Sequence, residues 1–216
     1  MQDTLYVPNF DENLGFWNLN DNLQKQSAPS AQIHYNGSHH WLMSYQISEN
    51  EPVCILDSLK SQRTLNNSLA IQLSQIYDNH KDSLKALIPE IQRQENSSDC
   101  GVFAVAYLTE LLMTNFTVDV STIRFDISKM RAHLYECISK CSFSAFPKIN
   151  KMPKMPCKDA RVQTVRLYCT RKLPDIVEDM VKCDNKKCRH KWYHKKCVGF
   201  VETVRGKTWL CHFCSW

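Results

Sequence analysis

Seven of the eleven cysteines fall within the last 60 of 216 residues, and this crowding limits the fold more than any other feature of the chain. Downstream of Cys169, the residues Cys183, Cys188, His194 and Cys197 follow the spacing C-x4-C-x5-H-x2-C. After a gap of 13 residues, Cys211 and Cys214 add C-x2-C. Thiolate and imidazole donors in closely spaced pairs suit a tetrahedral Zn²⁺. A stretch of about 50 residues with little aliphatic content needs such a staple to fold. The cysteine count is odd, and the opening "MQDTLYVPNF" has neither a basic region nor an apolar core. A secreted disulfide framework is therefore a poor reading, and metal ligation in a reducing compartment a good one.

Charge divides the chain at the same place. Residues 1–150 hold 11 Lys/Arg against 16 Asp/Glu, and residues 151–216 hold 16 against 6, so −5 and +10 make up the net +5. Opposite signs imply two modules, with the boundary near "FPKINKMPKMPCKDA" (146–160), where prolines and lysines interrupt any regular pattern. The expected partition is a first module over 1–148, a linker over 149–165 and a zinc-stapled module over 166–216. No apolar run approaches the roughly 18 residues of a membrane span. The chain reads as nuclear or cytoplasmic, not secreted, and without a membrane partner.

Within the first module, "AQIHY" (31–35) and "HWLMSYQI" (40–47) read as strands joined by an Asn-Gly-Ser-His hairpin connection. "PVCILD" (52–57) is a third strand, and "LIPEIQRQ" (87–94) a fourth. Leu65, Leu69, Leu73, Ile76 and Tyr77 recur at helical spacing. "CGVFAVAYLTELLMT" is apolar enough for a buried helix, and "DISKMRAHLYECIS" carries Met130, Leu134, Cys137 and Ile138 on one stripe that reads as core packing. The sum is α+β.

The stretch "QENSSDCGVFAVAYL" places Cys100 where a polar run turns into the buried helix. Unsatisfied N–H groups and the positive end of the dipole there favour a thiolate. Gly101 leaves room for a carbonyl. His40 opens one strand and Asp57 closes the next, so antiparallel neighbours would bring them to one sheet end. Gln94, six residues before Cys100, is close enough to aim an amide N–H at an oxyanion. Base, orienting carboxylate, oxyanion donor and nucleophile then occur in the order His, Asp, Gln, Cys. Each residue alone also reads as ordinary: Cys100 as core, His40 as a satisfied polar group, Asp57 as a turn residue, and Asp99 as a simple helix cap. The joint order carries the weight. His39 is the neighbouring choice of base, and His40 is preferred because Trp41 follows it. A metal site from His39, His40 and Cys54 lacks a fourth ligand.

These motifs resemble the ubiquitin-like-protein (SUMO-type) cysteine proteases: "HW" at His40-Trp41, an aspartate 17 residues on in "ILDSL" (Asp57), and "Q-x5-CG" in "QENSSDCGVFA". "MRAHLYECISKCSFSAFPK" resembles the closing helix of transposon-derived or virus-like relatives. The resemblance covers about residues 30–148 and implies a papain-like catalytic fold. It implies that Cys100 attacks the carbonyl, His40 shuttles the proton, Asp57 orients the imidazole and Gln94 donates to the oxyanion. Trp41 would border the channel for the substrate's small C-terminal residues, or simply pack a strand. Only 39 residues precede His40, short of the Trp-containing region that roofs the channel in full family domains, and Trp17 does not match it. The expectation is an N-terminally truncated domain.

The tail resembles a PHD finger of the inhibitor-of-growth kind through "CDNKKC", "KWYHKKCVGF" and "TWLCHFC". The cross-brace of that family implies one complete zinc site from Cys183, Cys188, Cys211 and Cys214. It implies a second, incomplete one from Cys169, His194 and Cys197, because Arg171 stands where a cysteine is expected. It also suggests a methyl-lysine cage from Tyr168, Met180 and Trp192, with Asp184 meeting a basic side chain. The module's own positive charge argues instead for phosphate backbones or acidic proteins, although such lysine runs are also ordinary solvated faces.

The leading expectation is a thiol (iso)peptidase acting at the C-terminus of a ubiquitin-like modifier or a related precursor, with a finger that binds a histone tail, nucleic acid or protein. Two alternatives stand beside it: a non-catalytic chromatin adaptor with a relic protease domain, and a transposon- or virus-like polyprotein protease.

Overall fold

The structure is a computed structural model, and it describes residues 7–8, 10–13, 16–19, 23–59, 65–78, 82–149, 161–200 and 208–215. Two compact units emerge, each discontinuous in sequence. One is built from Gln26–Leu65 and Lys85–Gln163, the other from Pro8–Lys25, Asn66–Leu84 and Thr164–Trp216. The expected linker over 149–165 falls largely on 150–160, outside the described residues, and its end forms a strand.

Near the N-terminus β1 (Phe10–Asp11) pairs with β2 (Phe16–Trp17). The main sheet begins with β3 (Ser30–Tyr35) and β4 (Trp41–Gln46), antiparallel from Ser30↔Gln46 to Tyr35↔Trp41. Asn36 builds the turn between them. Its N–H donates to the His40 carbonyl at 3.0 Å, and its Oδ1 accepts the N–H groups of Ser38 and His40 at 2.8 and 3.1 Å. Gly37 (φ +84°) and His39 (φ +64°) take the left-handed conformations this loop requires.

β5 (Val53–Leu56) runs antiparallel to β4, with Met43 facing Leu56 and Tyr45 facing Cys54. β6 (Ser83–Ile88) is parallel to β5, so a crossover must join them, and it carries α1 (Asn67–Ile76). Asn66 caps α1 by accepting the Leu69 N–H at 2.7 Å. β7 (Arg161–Arg166) completes the order β3-β4-β5-β6-β7. The strand expected at 87–94 thus lies earlier, over 83–88. Pro89 has no N–H for the ladder and ends it.

α2 (Cys100–Met113) packs on β3 and β4, and α3 (Ile127–Ser139) packs on α2. The core of this unit gathers Met43, Leu56, Phe103, Tyr107, Phe125 and Phe146. Phe125 makes edge-to-face contacts with Phe103, Tyr107 and Phe146 at centroid distances of 6.1, 5.1 and 6.2 Å. Burying side chains of this size contributes about 1.5–3 kcal/mol each.

The expected stripe on α3 needs one correction. Met130 and Cys137 are buried, but Ile138 is 59% exposed. At about 100° per residue, Ile138 lies roughly 80° round the helix from Met130 and roughly 100° from Cys137, off the core face.

In the second unit β8 (Met180–Lys182) pairs antiparallel with β9 (Trp192–His194). One buried cluster of this unit is Cys169, Cys183, Tyr193 and Cys211. Ile71, Leu173 and Val177 form a separate apolar cluster. The architecture is α+β with a Cys/His-rich cluster near the C-terminus, as expected. No described helix is long and apolar enough to cross a membrane.

Candidate active site and metal centre

His40 lies one residue before β4 and Asp57 one residue after β5. Because these strands are antiparallel, the start of one and the end of the other share an edge. There His40 Nε2 meets Asp57 Oδ1 at 2.9 Å, with the two side chains only 9% and 15% exposed. Asp57 is itself fixed, since Oδ1 accepts the Leu59 N–H at 2.8 Å and its carbonyl accepts from Arg93 Nη1 at 3.0 Å.

An ionised carboxylate only accepts, so the proton of a neutral His40 ring sits on Nε2 and the lone pair on Nδ1. That Nδ1 is buried and has no hydrogen-bond partner among the described residues. Burial opposes charging of the imidazole. The hydrogen bond and charge of Asp57, with a further contribution from Cys100, outweigh it and raise the His40 pKa above the usual histidine value.

Cys100 is the first residue of α2 and is 3% exposed. Its thiol donates a long hydrogen bond to the His39 carbonyl, with Sγ 3.7 Å from the oxygen. Asp99 occupies the N-cap position but does not cap the helix. Its carboxylate is drawn away by Arg131 Nε at 2.6 Å and by Asn96 Nδ2 at 2.6 Å. The first-turn N–H groups beside the thiol are left without a side-chain cap. A Cβ on Gly101 would stand 3.7 Å from Trp41 Cδ1, so the indole lies directly over the glycine. Tyr35 backs the Trp41 ring at 4.8 Å between centroids.

Gln94 belongs to the same loop. Its Oε1 accepts the Ser58 hydroxyl at 2.7 Å and its Nε2 donates to the Asn96 carbonyl at 2.5 Å. The amide N–H is thus held within the loop in this state. Sequence reasoning missed Asn36, Asn96 and Arg131 as organisers. Asn96 Oδ1 accepts the N–H groups of Ser98 and Asp99, both at 2.9 Å, a local turn that an Asn within the polar run "QENSSD" can signal. Arg131 had no local signal.

Two ligand clusters form in the second unit. The donor atoms of Cys183, Cys188, Cys211 and Cys214 lie within 4.8 Å of one another, as do those of Cys169, His194 and Cys197. With Zn–S of about 2.3 Å, a tetrahedron has edges of about 3.8 Å. The Cys188 and Cys211 sulfurs are 3.7 Å apart, and four thiols are the donor set a structural zinc takes, so this cluster fits the ion. Three donors form the other, incomplete cluster.

The family model described as the Ulp1 protease family, C-terminal catalytic domain, matches residues 21–145. The chain belongs to the Ulp1 protease family. It therefore has thiol-protease character, and His40, Asp57, Gln94 and Cys100 all lie within the matched stretch. The zinc cluster of this Ulp1-family chain resembles a PHD finger, and curated relatives match it over short segments. Chromatin modification-related protein png2 of Schizosaccharomyces pombe is 46% identical over 36 residues, which is 17% of this chain and 12% of that protein. Inhibitor of growth protein 3 of Homo sapiens is 46% identical over 37 residues, 17% of this chain and 9% of its own length. PHD finger protein ING1 of Arabidopsis thaliana is 46% identical over 37 residues, again 17% of this chain and 15% of its own length. The chain thus covers well under a fifth of each of these relatives. No solved structure gives a significant match.

The four residues expected to contact a peptide are distributed as follows. Trp192 is 42% exposed and stands opposite Lys182, whose ammonium lies 5.9 Å from the ring centroid. Met180, half-buried, opens β8 opposite His194, and half-buried Tyr168 pairs with Leu173. Asp184 Oδ2 accepts the Trp209 N–H at 2.7 Å, so that carboxylate already ties two strands of chain together.

Proposed function

We propose that this Ulp1-family chain is a cysteine (iso)peptidase that cleaves after the C-terminus of a ubiquitin-like modifier or of a related precursor. Its catalytic machinery lies in residues 1–148, joined through 149–165 to a finger over 166–216. The Cys100 thiol gives its proton to His40 Nδ1, and the thiolate attacks the carbonyl carbon. Asp57 holds the ring and stabilises the imidazolium. Gln94, once its amide leaves the Asn96 carbonyl, donates to the oxyanion together with the uncapped first-turn N–H groups of α2. Collapse of the tetrahedral intermediate expels the amine, which takes the proton from His40 and leaves a thioester on Cys100. Water then attacks, with His40 as base, and frees the carboxylate and the thiol. Trp41 over Gly101 narrows the approach to small C-terminal residues.

The observation that carries this reading is the His40–Asp57 bond at 2.9 Å with Nδ1 buried and unpartnered, while Cys100 contributes to the charge balance of the ring. Incubation with SUMO and ubiquitin probes bearing a C-terminal electrophile, followed by peptide mass spectrometry, tests it. A single adduct on Cys100 is expected. A folded chain left unmodified by every probe would overturn the reading and favour the adaptor alternative.

The finger is the part of the chain that engages chromatin or another protein. The +10 charge of residues 151–216 and the Lys182 ammonium over Trp192 support a phosphate backbone or an acidic protein over a basic histone tail. Titration with duplex DNA and with histone-tail peptides compares the two, and tighter binding to the peptide would reverse that preference.

A further inference from the structure

Cys169, His194 and Cys197 converge as three corners of a metal site, and Arg171, two residues after Cys169, turns its guanidinium onto one of them. Arg171 Nε lies 2.8 Å from Cys197 Sγ, and its Nη2 lies 2.9 Å from Glu178 Oε1. The Arg171 side chain is 40% exposed and that of Glu178 6%, so the guanidinium is held at the surface between a sulfur and a buried carboxylate. We propose that Arg171 replaces the fourth ligand and closes this cluster without a metal, so that the finger carries a single zinc, at Cys183, Cys188, Cys211 and Cys214.

Arginine has five N–H donors, no acceptor and a charge it does not lose, so it cannot coordinate a metal. Its N–H also engages Cys197 Sγ, a donor the ion would need. A dication placed among these three donors would sit beside a fixed positive charge. Nor does the cluster need an ion to satisfy its buried groups. The His194 N–H donates to Cys169 Sγ at 2.9 Å, and His194 Nε2 donates to the Pro174 carbonyl at 2.8 Å. His194 Nδ1 and Cys197 Sγ face each other at 3.7 Å. Each of the three donors therefore has a partner within the protein, although His194 is fully buried. The residue that breaks the ligand pattern also supplies the contact that makes the break tolerable.

Native mass spectrometry of the full chain, prepared with excess Zn²⁺ and then desalted, counts bound ions directly. One zinc is expected on the wild type, none on the double variant Cys183→Ala/Cys211→Ala, and two on Arg171→Cys, which gives the second cluster a fourth donor. Two ions on the wild type, or none, would overturn the proposal. So would a zinc retained by the Cys183→Ala/Cys211→Ala chain, whose first cluster keeps only two thiols. An Arg171→Cys chain with the wild-type count would refute the idea that Arg171 is what excludes the metal. The gain of an ion by Arg171→Cys cannot be imitated by a variant that merely fails to fold.

Discussion

Replacing Arg131 with methionine removes the guanidinium that grips the segment just before Cys100, while keeping most of the aliphatic stem. That guanidinium donates to Asp99 Oδ1 from Nε at 2.6 Å and from Nη2 to the carbonyl and hydroxyl of Ser98 at 2.9 and 3.1 Å. The Asp99 side chain is 8% exposed and that of Arg131 is 59% exposed. Stripping one partner from a fully buried pair costs about 3–5 kcal/mol, whereas an exposed pair is worth about 0–1 kcal/mol. Here the cation stands more than half in water, and Asn96 Nδ2 remains on the other carboxylate oxygen at 2.6 Å. The loss should therefore fall between those limits, at about 1–3 kcal/mol. Because Cys100 is 3% exposed, brief maleimide labelling of that residue across a urea series reports the opening of its own unit. With a urea slope of about 1–3 kcal/mol per M, the labelling midpoint should drop by roughly 1 M. A midpoint equal to that of the wild type would refute the reasoning, because it would mean that the Asp99–Arg131 pair does not hold the loop around Cys100.

Further outcomes follow from the same geometry. Cys100→Ala should abolish adducts with every electrophilic probe while leaving the circular dichroism of the chain unchanged. The raised His40 pKa has a definite sign in stability: its contribution is complete below the unfolded value of about 6.5 and is lost as pH rises through the higher folded value. The gap in urea midpoint between the wild type and Asp57→Asn should accordingly narrow as pH is raised from about 6 to about 9, and a gap that widens would contradict the assigned partner. Met130→Ala should cost about 2–5 kcal/mol in urea unfolding, whereas Ile138→Lys, on the exposed side of α3, should stay within about 0.5 kcal/mol. Chelation should remove the hydrogen-exchange protection of the β8–β9 pairing, because Tyr193 of β9 packs in one buried cluster with Cys183 and Cys211 of the four-thiol site.

How much of this was legible before folding depended on the range of the interaction. The hairpin was readable because Asn36-Gly37 supplies its own turn chemistry, and with the next strand it placed His40 and Asp57 at opposite ends of neighbouring segments. Antiparallel pairing then brings such ends together whatever the rest of the chain does, and the 2.9 Å contact follows. The cysteine clusters were readable for a similar reason, since ligand spacing is a local constraint. The fourth expected strand was misplaced because apolar content around Leu87 and Ile88 outweighed the meaning of Pro89, which can end a ladder but not lie within one. Asp99 looked like a helix cap from its position alone. What it actually touches is Arg131, 32 residues away on another helix, and no periodicity announces a polar contact of that range.

Arg171 falls between these cases. Its position shows that a ligand is missing, while its partners Cys197 and Glu178 lie 26 and 7 residues away and only folding brings all three together. The chain therefore reveals locally where a function is built or interrupted. Whether the interruption is an empty gap or a filled one is decided by the long-range contacts, and here a held guanidinium fills it.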